Sequence, residues 1–369
     1  GPNAAPAAER MKFRYSRKVP AQSRSSHRAL RWFAICAIPA ALAALFLSCV
    51  GWLSPRPGAR RIVNAFEATT TPHPGFRRNH AKGICVTGHF DSNGEGALLS
   101  RASVFARGRY PVVGRLSIPG GDPGEDDAAG MVRSLALRIT LPHAEQWRLA
   151  MNSAPVFPVR TPEALLEQLQ ADARDPRTGR RDPAKMRAFL DAHPEARAFR
   201  RFIEQHPPSS GYDNATYYGV SAFQTIDAHG IRRFVRWEVV PEKPYRAVYA
   251  GDLRDPDFLF YDLSKSLRKG PLRWHLILNV ALPGDTTDDS TRQWVSSPRR
   301  PRIDVGTLVI DSAQTQIDGP CRDIAFDPTV LPDGIAPSAD PLLAARSAAY
   351  AVSLQRRLSE EAAARARAH

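Results

Sequence analysis

Seven short runs of β-branched or apolar residues, at 83–90, 112–117, 134–141, 222–226, 231–240, 274–281 and 306–311, are separated by Gly, Pro and Asp turns. Runs of this length and punctuation predict strands, and together they suggest an antiparallel barrel. Between them, residues 162–170 and 183–205 have helical spacing, 256–269 reads as a short helix, and a last helix closes the chain. The mixture is α+β. The domain is expected to occupy residues 54–369, within a chain of 369 residues whose hydrophobic share, 43%, is that of an ordinary globular protein.

The last helix has an unusual face. Asp340 is a good N-cap and Pro341 suits the first helical position, so a helix is predicted from there toward Arg357. Arg346 and Tyr350 then lie at i and i+4, and Arg357 follows two turns after Tyr350. A guanidinium, a phenol and a second guanidinium in one row suit neither a solvated nor a core face, although a buried tyrosine with snorkelling arginines remains open on this pattern alone.

The formal charge of +14 raises the question of nucleic acid. Residues 1–31 carry eight Lys/Arg against one Glu, so half the excess belongs to a short basic arm. The remainder is spread without aromatic interleaving or a nucleic-acid module, and no nucleic-acid partner is expected. Residues 32–53 are uncharged and mostly apolar, and as a helix of roughly 1.5 Å per residue they are long enough to cross a bilayer. They read as a transmembrane helix or uncleaved signal anchor. The heavier basic flank on the N-terminal side places the arm in the cytoplasm and the domain in the periplasm, anchored in the inner membrane.

Two motifs stand far apart: Arg77-Arg78-Asn79-His80-Ala81-Lys82-Gly83, and Asp340-Pro341 followed by Arg346-Ser347-Ala348-Ala349-Tyr350. Between them come Pro111-Val112-Val113-Gly114-Arg115-Leu116-Ser117, Met151-Asn152-Ser153-Ala154-Pro155-Val156-Phe157, Asp175-Pro176-Arg177-Thr178, Asp182-Pro183, Trp294, Val305-Gly306-Thr307-Leu308, Phe326-Asp327-Pro328 and Leu331-Pro332-Asp333-Gly334-Ile335. Each resembles a segment of the haem catalases, and they occur in catalase order. The resemblance implies an eight-stranded antiparallel barrel with flanking helices, binding heme b with Tyr350 as the axial ligand of ferric iron. A phenol ionises near pH ~10, so a phenolate needs the metal and a neighbouring cation, for which Arg346 is suitably spaced.

By the same resemblance, His80 is the distal acid and base and Asn152 the neutral hydrogen-bond donor beside it. Ser117 should orient His80, Phe157 should pack against the haem, and Arg77, Arg115 and Arg357 should pair with its propionates.

Departures from the family pattern narrow the expected activity. Asn79 stands where an apolar residue usually precedes the distal histidine, and could hydrogen-bond the distal oxygen or His80. Met131 falls near the position of an acidic channel residue. Ala222 replaces a histidine that belongs to a relay with Arg346 and Asp340. The chain ends 19 residues after Tyr350, short of the wrapping segment and C-terminal domain of full catalases. A more open haem site is therefore expected, in a minimal catalase-related peroxidase that reduces hydrogen peroxide or organic hydroperoxides with an external small-molecule or protein donor. Dismutation would be a side activity, and a homodimer is one assembly the resemblance allows. Two alternatives are a hydroperoxide-rearranging enzyme similar to allene oxide synthases and a membrane-tethered haem sensor.

Other signals are weaker. Cys85 and Cys321 fall in the exported domain, where a disulfide is permitted, but a pair of buried thiols is the expectation. Residues 120–127 form an acidic, Gly-rich loop without calcium-loop spacing. The remaining histidines show no metal-ligand spacing, so no second metal is expected.

Overall fold

The computed structural model describes residues 35–44 and 57–368. Residues 35–44 are helical (α1), and among the described residues no helix is long and apolar enough to cross a membrane. The remainder of the expected membrane segment 32–53, and the basic arm 1–31, lie outside the described residues.

From residue 57 the strands are β1 (Gly83–Ser92), β2 (Gly108–Ser117), β3 (Ser134–Thr140), β4 (Gln146–Asn152), β5 (Tyr217–Tyr218), β6 (Phe223–Ile226), β7 (Arg232–Pro241), β8 (Leu272–Val280), β9 (Arg302–Thr315) and β10 (Ile335–Pro337). Their order is β10-β6-β7-β5-β4-β3-β2-β1-β9-β8, and β8 pairs back onto β7. The expected eight-stranded antiparallel barrel is therefore closed by β1 to β5 and β7 to β9, with β6 and β10 extending from β7. Closure removes the exposed edges an open sheet would present.

Strand alternation fills the barrel. Leu116, Leu135, Leu149 and Trp237 point into one buried cluster, where Trp147 meets Phe105 and Trp237 edge-on at 5.6 and 5.2 Å. Strand β4 lay outside the expected strands, although Trp147, Leu149 and Met151 alternate there with polar or small residues, the period-2 signature of a half-buried strand.

The helices are α2 (Ala59–Ala68), α3 (Pro162–Asp172), α4 (Pro183–Ala192), α5 (Ala196–Gln205), α6 (Phe258–Lys269) and α7 (Pro341–Ala368). The single helix expected over 183–205 is two. Pro194 has no N–H and disfavours helical geometry at His193, which sits at φ −119° and ψ 76°. Helix α7 starts as expected, with Asp340 Oδ1 accepting from Leu342 N at 2.9 Å, and runs on to Ala368. Its Ala345 and Ala349 pack against a second apolar cluster that contains Ile62 and Ala65 of α2, and Leu165 and Leu166 of α3.

Arg78 and Arg356 tie α2 to α7. The buried Arg78 side chain bridges Glu67 at 2.7 Å and Glu360, while Arg356 reaches Glu67 at 2.9 Å. Cys85 and Cys321 are disulfide-bonded, with Cα atoms 5.3 Å apart, which corrects the expectation of two free thiols. The spacing of 236 residues carries no local signal of their proximity.

Candidate active site

The outward-facing positions of β2, β3 and β4 form two rows across the sheet. Pairing places Gly83, Ser117, Ser134, Asn152 and Tyr218 in one row, and Cys85, Arg115, Ala136 and Ala150 in the next. Their neighbours Leu116, Leu135 and Leu149 enter the core, so a one-residue slip would exchange the two sets.

Over these rows lies a cavity with about 1250 Å³ of empty space, continuous with solvent and roofed by α2, α3 and α7. Every site residue expected from the sequence lines it: Arg77, His80, Arg115, Ser117, Asn152, Phe157, Arg346, Tyr350 and Arg357. His80 and Asn152 come from the barrel side, and Arg346, Tyr350 and Arg357 from α7.

His80 is held in an uncommon conformation, φ 57°, by hydrogen bonds around it. Asn79 Oδ1 accepts from His80 N at 3.0 Å and from Gly120 N at 2.9 Å, while Ala81 N donates to Gly120 O at 2.8 Å. The oxygen of Asn79 therefore serves the backbone, His80's own N–H included, and only its amide N–H groups remain to hydrogen-bond a distal oxygen. Ser117 Oγ lies 3.4 Å from His80 Nδ1, where it can set the tautomer. Burial, reinforced by Arg115, Arg346 and Arg77, pushes the His80 pKa down to about 3, so the ring is neutral across ordinary pH.

Asn152 Oδ1 accepts from Ser134 Oγ at 2.7 Å, which leaves the amide N–H groups for the cavity. Ser134 was not among the expected site residues; its place in the row with Asn152 was visible only once β4 was recognised as a strand.

At one end of the cavity the guanidiniums have no anion. Arg77 donates to the carbonyls of Cys321 (3.0 Å) and Ile324 (2.9 Å), Arg115 to Ala81 O (3.2 Å) and the Gln316 side chain, and Arg357 to Arg322 O (2.7 Å). Among the described residues none of the three forms an ion pair, and Nε of Arg115 and of Arg357 is buried without a partner. Burial lowers Arg115 to about 10 and holds Arg77 well below the usual guanidinium range, with Arg115 and Arg357 adding repulsion on Arg77. Gly83 makes room for this arrangement, since a Cβ there would stand 2.5 Å from Arg115 Cζ.

Met131 is exposed and does not line the cavity. Ala222 is buried, and burial raises the carboxyl of Asp340, one of whose oxygens has no partner. Helix α2 contributes Ile62, Val63 and Phe66 to the wall, although no helix was expected there; the apolar spacing at i, i+1 and i+4 was its signal.

The Catalase family model matches residues 65–364. A catalase-related peroxidase of Synechococcus elongatus is 35% identical over 336 residues, covering 90% of this chain and 98% of its own. One from Mycolicibacterium paratuberculosis is 32% identical, covering 82% and 96%. A fungal catalase structure superposes with a TM-score of 0.71 at 21% identity, and the chain spans 60% of its length.

Proposed function

Because this chain belongs to the catalase family, we propose that it is a haem-dependent peroxidase, reducing hydrogen peroxide or an organic hydroperoxide at the expense of an external electron donor. Oxygen release from peroxide is a side activity. The observation that carries the reading is one cavity lined by His80, Asn152 and Tyr350, with a guanidinium trio that forms no ion pair among the described residues.

That chemistry fits heme b. The apolar wall suits a macrocycle, Arg77, Arg115 and Arg357 suit its two carboxylates, and Tyr350 Oη suits ferric iron, with Arg346 one turn away to favour the phenolate. Bound there, the haem would supply the redox-active metal that takes oxidising equivalents from a peroxide.

The protein's own groups handle the proton. Neutral His80 would accept it from one peroxide oxygen and return it to the other, which departs as water or alcohol. Ser117 keeps the ring in the required tautomer, Asn152 donates to the peroxide without changing charge, and Phe157 packs against the macrocycle.

The relatives named catalase-related peroxidases support the donor-dependent reading, because the chain covers nearly all of one and a lesser share of the fungal catalase. A paired assay at equal peroxide, oxygen by electrode and donor oxidation by absorbance, tests it. Donor oxidation should compete well with oxygen release; vigorous oxygen release without donor oxidation would make the protein a true catalase.

The apolar stretch 32–53 and the basic arm before it support anchoring in the inner membrane with the domain in the periplasm. The Cys85–Cys321 disulfide agrees with an oxidising compartment. Recovery of the native chain in the cytosol would contradict that location.

A further inference from the structure

The three cavity arginines share a support that none of their own elements provides. After β9 ends at Thr315 the chain passes through turns, without strand or helix, and this stretch carries the acceptors that hold the trio. Cys321 O and Ile324 O take Arg77, Arg322 O takes both Arg77 and Arg357, and the Gln316 side chain takes Arg115 while donating to Ala81 O at 2.9 Å. Carbonyls direct guanidiniums only as well as they are themselves fixed.

What fixes this stretch is the disulfide. Cys85 lies on β1 directly opposite Arg115 on β2, and Cys321 stands in the middle of the acceptor stretch. Both residues are fully buried in a small cluster with Ile324 and Phe326. Cys321 N also donates to Cys85 Sγ at 3.1 Å, and Gly319 packs so closely on Cys85 that a Cβ would stand 2.7 Å from its sulfur. The bridge thus clamps to the barrel wall the loop from which Arg77 and Arg357 take their direction, one strand away from Arg115. Both cysteines are shielded from solvent.

We infer that the Cys85–Cys321 bridge is a positioning element for the anion end of the cavity: it holds Arg77, Arg115 and Arg357 converged on a dicarboxylate, the propionate edge of the haem. The inference rests on the proposed haem site, and goes beyond it by assigning recognition of the carboxylates to a covalent link outside the cavity.

The test compares two probes on the full-length apoprotein, ferric haem and its propionate dimethyl ester, which has the same macrocycle without the charges. Wild type should bind haem more tightly than the ester; equal affinities would overturn the haem-site reading itself. In C85A/C321A the preference for haem should shrink about tenfold, the worth of one charge-assisted hydrogen bond, while ester affinity holds. Q316A, which leaves the bridge intact, should shrink it in the same direction. An unchanged preference in C85A/C321A, or an equal loss for both probes, would overturn the positioning role. So would failure of C85A/C321A to fold, because the bridge would then serve the whole fold rather than the cradle.

Discussion

Ser134 donates its hydroxyl to Asn152 Oδ1 at 2.7 Å, across a pair of residues that face each other on β3 and β4. The consequence is directional: an amide whose oxygen is occupied can offer the cavity only its N–H groups. Ser134→Ala should therefore free the amide to rotate and slow the peroxide step about tenfold, on the scale of one hydrogen bond. Ser134→Thr should restore the rate, as measured by stopped-flow absorbance. Wild-type kinetics in Ser134→Ala would mean that the amide is aligned by something else.

His80→Ala should slow the peroxide step by at least roughly 10² to 10⁴ while haem binding persists. Because burial, the largest cause, remains when the arginines are neutralised, His80 stays deprotonated and the peroxide step should be flat above about pH 5. The same depressed pKa acts on stability. Between the ordinary histidine value of about 6.5 and the folded value of about 3, the unfolded chain binds the extra proton. The His80 contribution should accordingly leave stability unchanged above that window and erode it as pH falls through it. Denaturant titrations of wild type and His80→Ala at several pH values would reveal the difference.

Tyr350→Phe should lose or misligate haem, and ferric wild type should show a five-coordinate, high-spin tyrosinate spectrum. A histidine- or cysteine-ligated spectrum in wild type would remove Tyr350 from its assigned place.

The Arg78 side chain, which also lines the cavity, bridges Glu67 and Glu360. Arg78→Met should cost about 2–3 kcal/mol, below the full loss for a buried pair because both carboxylates are partly exposed. Hydrogen exchange should show the loss concentrated in α2 and the C-terminal half of α7. Uniform destabilisation of the barrel would contradict a role confined to the α2–α7 junction.

Local patterns carried much of this protein into the sequence. The cap at Asp340, the row of Arg346, Tyr350 and Arg357 on one helix, and the turn-bounded apolar runs of most barrel strands depend on neighbours within a few residues, and they can be read without a fold. Colinear motifs extended that reading to His80, Asn152 and the three arginines. The tertiary structure alone decided which outward-facing rows would meet, because register between strands is set by closure of the whole barrel. It put Ser134 against Asn152, turned the Asn79 oxygen to the backbone, and brought α2 over the cavity. It also joined Cys85 to a loop 236 residues away, beside the arginines that this loop holds. Contacts of that range follow from how the chain closes on itself, and no periodicity within a short window encodes them.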